Sequence, residues 1–203
     1  MKKTLLICGV DEAGRGALVG EVVAAAVVFG APPPAGLRDS KKLSPAQREI
    51  LAVQIREHCL AYCVASATVE EIEQYNIRTA TMFAMQRAVD GIIVCPDKVE
   101  VDGDFAPDFP YPAEAIIGGD DKVEAIMAAS ILAKTSRDQM MVKLDEKYPH
   151  YGFAQHKGYP TKYHLQMLEQ YGICPEHRRG YAPVKAVLAQ QLQLTKNQEG
   201  TKK

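Results

Sequence analysis

The first apolar run, Leu5-Leu6-Ile7-Cys8-Gly9-Val10, has strand length, and residues 21–29 repeat the pattern with β-branched side chains, so two strands are predicted, the first ending at Val10. Between them Asp11-Glu12-Ala13-Gly14-Arg15-Gly16 is expected at a strand end and turn. Three prolines in residues 31–36 mark a loop. Ser44-Pro45-Ala46-Gln47 then opens a helix to about residue 58, with Ser44 as N-cap, Pro45 at the first helical position and Gln47 closing a capping box. Residues 59–67 read as a strand, Thr68 caps a short acidic helix, and Ile77, Ala80, Phe83, Ala84 and Ala88 recur at helical spacing within 76–94. Alternation over 98–103 predicts a strand running into the Asp102-Gly103 turn, and 113–117 another closed by Gly118-Gly119. A long helix is expected over 120–147, where Ala128-Ala129-Ser130 permits close packing on a sheet. Residues 148–161 form a loop, a helix starts at Pro160 or Thr161, and a last helix covers 181–194. The remainder, 195–203, has nothing to bury and is expected to be a disordered tail.

This order predicts an α/β fold: a mixed central sheet whose first strands are adjacent and antiparallel, flanked by helices, with a helical C-terminal part. With 203 residues, 47% of them hydrophobic, and no linker or repeat, the expectation is a single domain over 1–194. The start Met1-Lys2-Lys3 imitates a secretory signal, but Asp11 and Glu12 cut its apolar run short, and no run reaches membrane-spanning length, so a cytoplasmic protein is expected. Five scattered cysteines in mostly apolar segments suit reduced, buried thiols; Cys59 and Cys63, with His58, lack the second ligand pair of a zinc site. A net charge of -1 excludes attachment to nucleic acid by bulk charge alone. Between Lys134 and Lys185, however, nine Lys or Arg face five Asp or Glu, a half of the chain that suits phosphates or merely a solvated surface.

Four acids stand where strands end or helices begin: Asp11, Glu12, Asp102 and Asp120. Brought together, such carboxylates recruit a divalent cation, and an all-oxygen set selects magnesium or manganese over zinc; singly, each is an ordinary turn or helix cap. Two ions held there suit in-line phosphodiester displacement. Gly14-Arg15-Gly16 lets backbone amides approach a sugar or phosphate, although a tight turn with an exposed arginine explains it equally. Lys41 and Lys42 precede a helix start and suit a phosphate contact or a solvated loop. Tyr159, beside His156-Lys157-Gly158, suits stacking on a nucleotide or plain packing.

In this order, Asp11-Glu12-Ala13-Gly14-Arg15-Gly16, Asp39-Ser40-Lys41-Lys42-Leu43-Ser44, Val101-Asp102-Gly103, Gly119-Asp120, Ala128-Ala129-Ser130-Ile131-Leu132-Ala133-Lys134 and His156-Lys157-Gly158-Tyr159 closely resemble bacterial ribonuclease HII over nearly the whole chain. The resemblance implies a ribonuclease H-like fold and a metal-dependent endoribonuclease. Its substrates would be RNA/DNA hybrids and duplex DNA holding single ribonucleotides, cut on the 5′ side of the ribonucleotide to leave 3′-hydroxyl and 5′-phosphate ends, a repair activity. It assigns the metal-binding, catalytic acids to Asp11, Glu12, Asp102 and Asp120, reading of the 2′-hydroxyl to the main chain of Gly14, Arg15 and Gly16, and packing on the following deoxyribose to Tyr159. A monomer is expected, with a sliding clamp as candidate partner. Two segments depart from the family's usual pattern. Ala17-Leu18-Val19-Gly20-Glu21 replaces Pro-Leu-Ala-Gly-Pro, and His177-Arg178-Arg179-Gly180-Tyr181-Ala182-Pro183-Val184 replaces His-Arg-Xaa-Ser-Phe-Xaa-Pro-Val. The alternatives are a non-catalytic hybrid-binding protein and a ribonuclease HIII-like enzyme; the latter family carries a substrate-binding domain ahead of its core, whereas only ten residues precede Asp11 here.

Overall fold

The computed structural model describes residues 5–38 and 40–200, with side chains through Gln193. Strands β1 (Ile7–Ala13) and β2 (Val22–Val28) pair antiparallel, and β2 pairs antiparallel with β3 (Ala61–Ala67). On the other side β1 pairs in parallel with β4 (Lys98–Asp102), and β4 with β5 (Ala113–Ile116), giving the order β3-β2-β1-β4-β5. All seven residues of β2 are buried because both faces of the sheet are covered, which is why it reads as an unbroken apolar run.

Neighbouring residues of the central strands feed two cores. On one face Cys8, Val10, Ala24 and Ala26 pack with Ala80, Ala84 and Ala88 of α2 (Val69–Asp90). On the other, Ala13, Ala25 and Val27 pack with Leu51 and Ile55 of α1 (Pro45–His58) and with Ala128, Ala129 and Leu132 of α3 (Glu124–Lys147). Both predicted caps form: Ser44 and Gln47 close one capping box, Thr68 and Glu71 another. Within α2, Asn76 adopts a left-handed φ of 68° and its side-chain oxygen accepts from the amides of Arg78 and Thr79, so it caps the longer apolar helix expected to start there. The C-terminal part comprises α4 (Phe153–His156), α5 (Lys162–Tyr171, capped by Thr161) and α6 (Ala182–Gly200).

Four expectations are corrected. Strand β1 does not stop at Val10: Asp11, Glu12 and Ala13 stay in register with Ala25, Ala24 and Val23, which keeps their backbone groups paired. The long helix starts at Glu124 rather than residue 120, because Gly118, left-handed at φ 65°, leads into a separate tighter turn, Gly119–Asp121. The loop over 148–161 is interrupted by α4. Helical backbone continues past residue 194 to Gly200, into the stretch expected to be a disordered tail; residues 201–203, like the signal-like start at 1–4, lie outside the described residues. Among the described residues no helix is long and apolar enough to cross a membrane.

Candidate active site

Because β1 and β4 run parallel and adjacent, their C-terminal ends lie side by side. Asp11 comes from β1, Asp102 is the last residue of β4, and Asp120 sits in the turn after β5. One carboxylate oxygen from each lies within 4.8 Å of the others. The Oδ1 of Asp102 accepts from the amides of Gly119 (2.7 Å) and Asp120 (3.3 Å), so β4 itself holds the turn that carries Asp120. Glu12 stands outside this trio. One residue along a strand reverses the side chain's face, and Glu12 lies with Arg78, Thr81 and Met85 of α2, 3.2 Å from Arg15 Nη1. It meets Asp102 on the α2 side and also borders the cleft that Asp11 and Asp102 line.

Burial pushes the Asp11 carboxyl well above the usual carboxylate range; the charges of Glu12 and Asp102 push the same way, and a hydrogen bond from Ser130 opposes them. Burial also raises Glu12, against the pull of Arg15. Lys41 supplies one cation, its Nζ 2.9 Å from Asp120 Oδ2. Lys42 instead reaches Asp121 at 2.6 Å, beside the site rather than within it. Asp39, which opens the same motif, lies outside the described residues.

Asp11, Glu12 and Asp102 border a cleft of about 240 Å³ whose other walls include Gly14, Arg15, Gly16, Lys41, Lys134 and Tyr159, and Asp120 stands beside it, bonded to Lys41. Gly14 has φ 94°, and a Cβ there would fall 2.5 Å from Arg137 Nε, so only glycine fits. The Tyr159 ring lies over Gly16, 3.8 Å from where a Cβ would stand, and Lys134 Nζ is 5.8 Å from the ring centroid. A larger cavity of about 630 Å³, between the kink of α2 and Arg179–Tyr181, has Glu73 as its one carboxylate, and that side chain accepts from the Arg179 amide. The groups able to do chemistry are therefore in the smaller cleft.

Several residues to which the sequence assigned no part in the chemistry support this site. Ser130 turns towards Asp11 and also bonds Ser40, Oγ to Oγ, at 2.8 Å. With Lys134 and Arg137 it forms one stripe of α3 at helical spacing, a signal visible in the sequence. Arg178, fully buried, donates to the carbonyls of Arg15, Ala17, Gly20 and Glu21, a role that spacing alone does not disclose.

Beneath Tyr159 two histidines form a buried chain. The Cys174 amide donates to His177 Nδ1 at 2.9 Å, His177 Nε2 meets His164 Nε2 at 3.2 Å, and His164 Nδ1 meets the Tyr159 carbonyl at 3.0 Å. With the first donor fixed, each later nitrogen is assigned: His177 donates through Nε2 and His164 through Nδ1, both rings neutral. Burial lowers His164 and His177 from 6.5 to about 4. The unfolded chain protonates these rings as pH falls through about 6.5, whereas the folded chain resists until about 4. Their contribution to stability is thus complete above pH 6.5 and lost as pH falls towards 4. Urea midpoints measured at pH 7, 5.5 and 4.5 are expected to fall in that order; a flat profile would contradict the neutral chain.

All five cysteines are free; Cys8 and Cys174 are buried as expected, but Cys95 is exposed. Among the described residues the three aspartates are the only group of three or more possible ligands close enough to share a metal.

The ribonuclease HII family model matches residues 8–183. The chain belongs to the ribonuclease HII family. Ribonuclease HII of Thiobacillus denitrificans is 59% identical over 185 residues, 91% of each chain. Among solved structures, the ribonuclease H2 from Pyrococcus horikoshii OT3 superposes with a TM-score of 0.75 at 27% identity, covering 90% of this chain and 97% of that one. The ribonuclease HII in the PCNA:RNase HII complex from Archaeoglobus fulgidus gives 0.70 at 26% identity, covering 88% and 96%. The mixed five-stranded sheet with helices is therefore the fold of the ribonuclease H2 group, and the stretch matched to ribonuclease HII contains every residue of the cleft.

Proposed function

We propose that the chain is an endoribonuclease that hydrolyses the RNA strand of RNA/DNA hybrids and cuts at single ribonucleotides in duplex DNA. The observation that carries this reading is the convergence of Asp11, Asp102 and Asp120, with ligand oxygens within 4.8 Å, beside the Gly14–Gly16 loop and Tyr159. The donor set fits a divalent ion: three hard oxygens, one on a carboxyl whose pKa burial and like charge raise, a shift that a bound cation would oppose. Asp11, Asp102 and Asp120 would hold magnesium or manganese, with Glu12 completing the set from the other face of the sheet. Two divalent ions bound there would supply the Lewis acidity that phosphodiester hydrolysis requires.

The chain's own groups do the rest. Lys41 and Lys134 offset phosphate charge at the cleft, Lys42 adds charge beside it, and the main chain of Gly14, Arg15 and Gly16 reads the 2′-hydroxyl, the group that separates RNA from DNA. Water adds to phosphorus and the bond to the upstream O3′ breaks, leaving a 3′-hydroxyl and a 5′-phosphate on the ribonucleotide. The working unit we propose is a cytoplasmic monomer in a single catalytic domain over 1–194. A sliding clamp is the proposed protein partner, by analogy with the archaeal relative solved with PCNA.

The test is a labelled duplex holding one ribonucleotide, incubated with magnesium, with manganese and with neither, and the cut mapped. Cleavage 5′ to the ribonucleotide that requires the metal is expected; no cleavage in either metal overturns the reading. Tyr159→Ala is expected to lower cleavage at the junction by about tenfold, the scale of one lost aromatic stacking contact. If that variant cuts single-ribonucleotide duplexes at the parent's rate, the ring has no such role.

A further inference from the structure

Arg178, a buried cation, holds the loop that borders the cleft from below, beside Arg137, which donates to the Val19 carbonyl. Arg178 Nε donates to the Gly20 carbonyl at 2.8 Å, Nη2 to that of Glu21 at 3.1 Å, and Nη1 to those of Arg15 (3.0 Å) and Ala17 (2.8 Å). These partners are carbonyls, not carboxylates, so the guanidinium's charge is spent on polarising the loop. Nη1 also lies 3.1 Å from the Tyr181 hydroxyl, which gives it three acceptors for two hydrogens. Tyr181 relieves that shortage. Its own O–H donates to the Arg15 carbonyl at 2.6 Å, so this oxygen receives both a neutral and a cationic donor.

The Arg15 carbonyl shares one peptide group with the Gly16 N–H. Drawing electron density onto the oxygen makes the amide a stronger donor, the cooperative effect of linked hydrogen bonds. Among the described residues no hydrogen bond within the chain takes up the Gly16 N–H, and Gly16 lies in the cleft wall under the Tyr159 ring. The resemblance to the family puts phenylalanine at position 181, so this hydroxyl is a feature of the present chain.

We propose that Arg178 and Tyr181 act as a buried donor pair on the Arg15–Gly16 peptide and so set how strongly the loop prefers a ribose 2′-hydroxyl to a deoxyribose. This rests on the endoribonuclease reading. Both are positioning residues, and the Tyr181 hydroxyl is specificity-determining.

The experiment uses the full chain and Tyr181→Phe. Affinity is measured in EDTA, without turnover, for two duplexes identical except for one 2′-hydroxyl, and kcat/KM is then measured with magnesium on the ribonucleotide duplex. For Tyr181→Phe the preference for the ribonucleotide duplex is expected to fall by about three- to tenfold, the worth of one hydrogen bond. Affinity for the all-DNA duplex should stay within about twofold of the parent, and kcat/KM should fall by the same factor as the preference. A merely structural hydroxyl would weaken both duplexes alike, or lower the melting temperature with the preference intact; either result, or no change, overturns the proposal. A parent that cuts neither duplex sinks the endoribonuclease reading and this proposal with it, whereas a parent that cuts and a variant with unchanged preference sinks this proposal alone.

Discussion

Asp102→Asn is expected to lower cleavage of a ribonucleotide-containing duplex by at least about a thousandfold, ~4 kcal/mol of transition-state stabilisation, while binding of the duplex stays within a few-fold of the parent. The expected separation of the two effects comes from the geometry. Asp102 supplies one of three oxygens gathered within 4.8 Å, and an amide in its place removes the negative charge that attracts a divalent ion. The same substitution keeps a carbonyl oxygen that can go on accepting from Gly119 and Asp120, so the turn carrying Asp120 stays on β4. The contacts proposed for the substrate are elsewhere, at Lys41, Lys134 and the Gly14–Gly16 loop, and these are untouched. Cleavage rate, duplex affinity and magnesium titration by calorimetry together check the prediction. Full turnover at saturating magnesium would remove Asp102 from the catalytic group, and lost affinity with unchanged metal binding would assign it to the substrate instead.

What the sequence disclosed, and what it hid, follows from the range of the interactions. Local chemistry was readable: Ser44 and Gln47, or Thr68 and Glu71, lie within one helical turn of each other, so a capping box is visible in four letters. The convergence of Asp11 and Asp102 was readable only through the family resemblance, because a pairing across ninety-one positions is set by the parallel register of β1 on β4. Glu12 reaches the site by a different path. Its motif groups it with Asp11, but the strand continues through both residues, and the pleat sends consecutive side chains to opposite faces. Arg178 and Arg137 were hidden for another reason. A buried guanidinium needs acceptors, and theirs are backbone carbonyls, Val19 for Arg137 and four loop residues for Arg178, which carry no side-chain signature. The left-handed Gly14, Gly20 and Gly158 close around Arg137, so three glycines that look like separate turns have one common neighbour.

Gly9→Ala is expected to destabilise the fold by more than about 3 kcal/mol and to lower the melting temperature by about 10 °C, although it adds a single methyl group at a residue given no substrate contact. Gly9 lies in the middle of β1, paired with Val27 on one side and Glu100 on the other, so the strand has no freedom to shift within its sheet. A Cβ there would stand 2.1 Å from the Ala125 carbonyl carbon and 2.3 Å from the Ile126 nitrogen. Both atoms are backbone of α3, so no rotamer change relieves the clash and the whole helix must move. α3 also carries Ser130, which bonds Ser40 and turns towards Asp11, and the buried Arg137, about which the glycines of the cleft loop close. Moving the helix therefore loosens the aspartates and the loop together, and the residual folded protein should cut more slowly than the parent even well below its melting temperature. Gly180→Ser is the matched control: a Cβ at Gly180 meets nothing within 4 Å, so its melting should stay within about 0.5 kcal/mol of the parent. Thermal melts of the two variants decide the matter, since a Gly9→Ala protein that melts with the parent would show that β1 and α3 do not meet backbone to backbone, and the placement of Ser130 against Asp11 would fall with that contact.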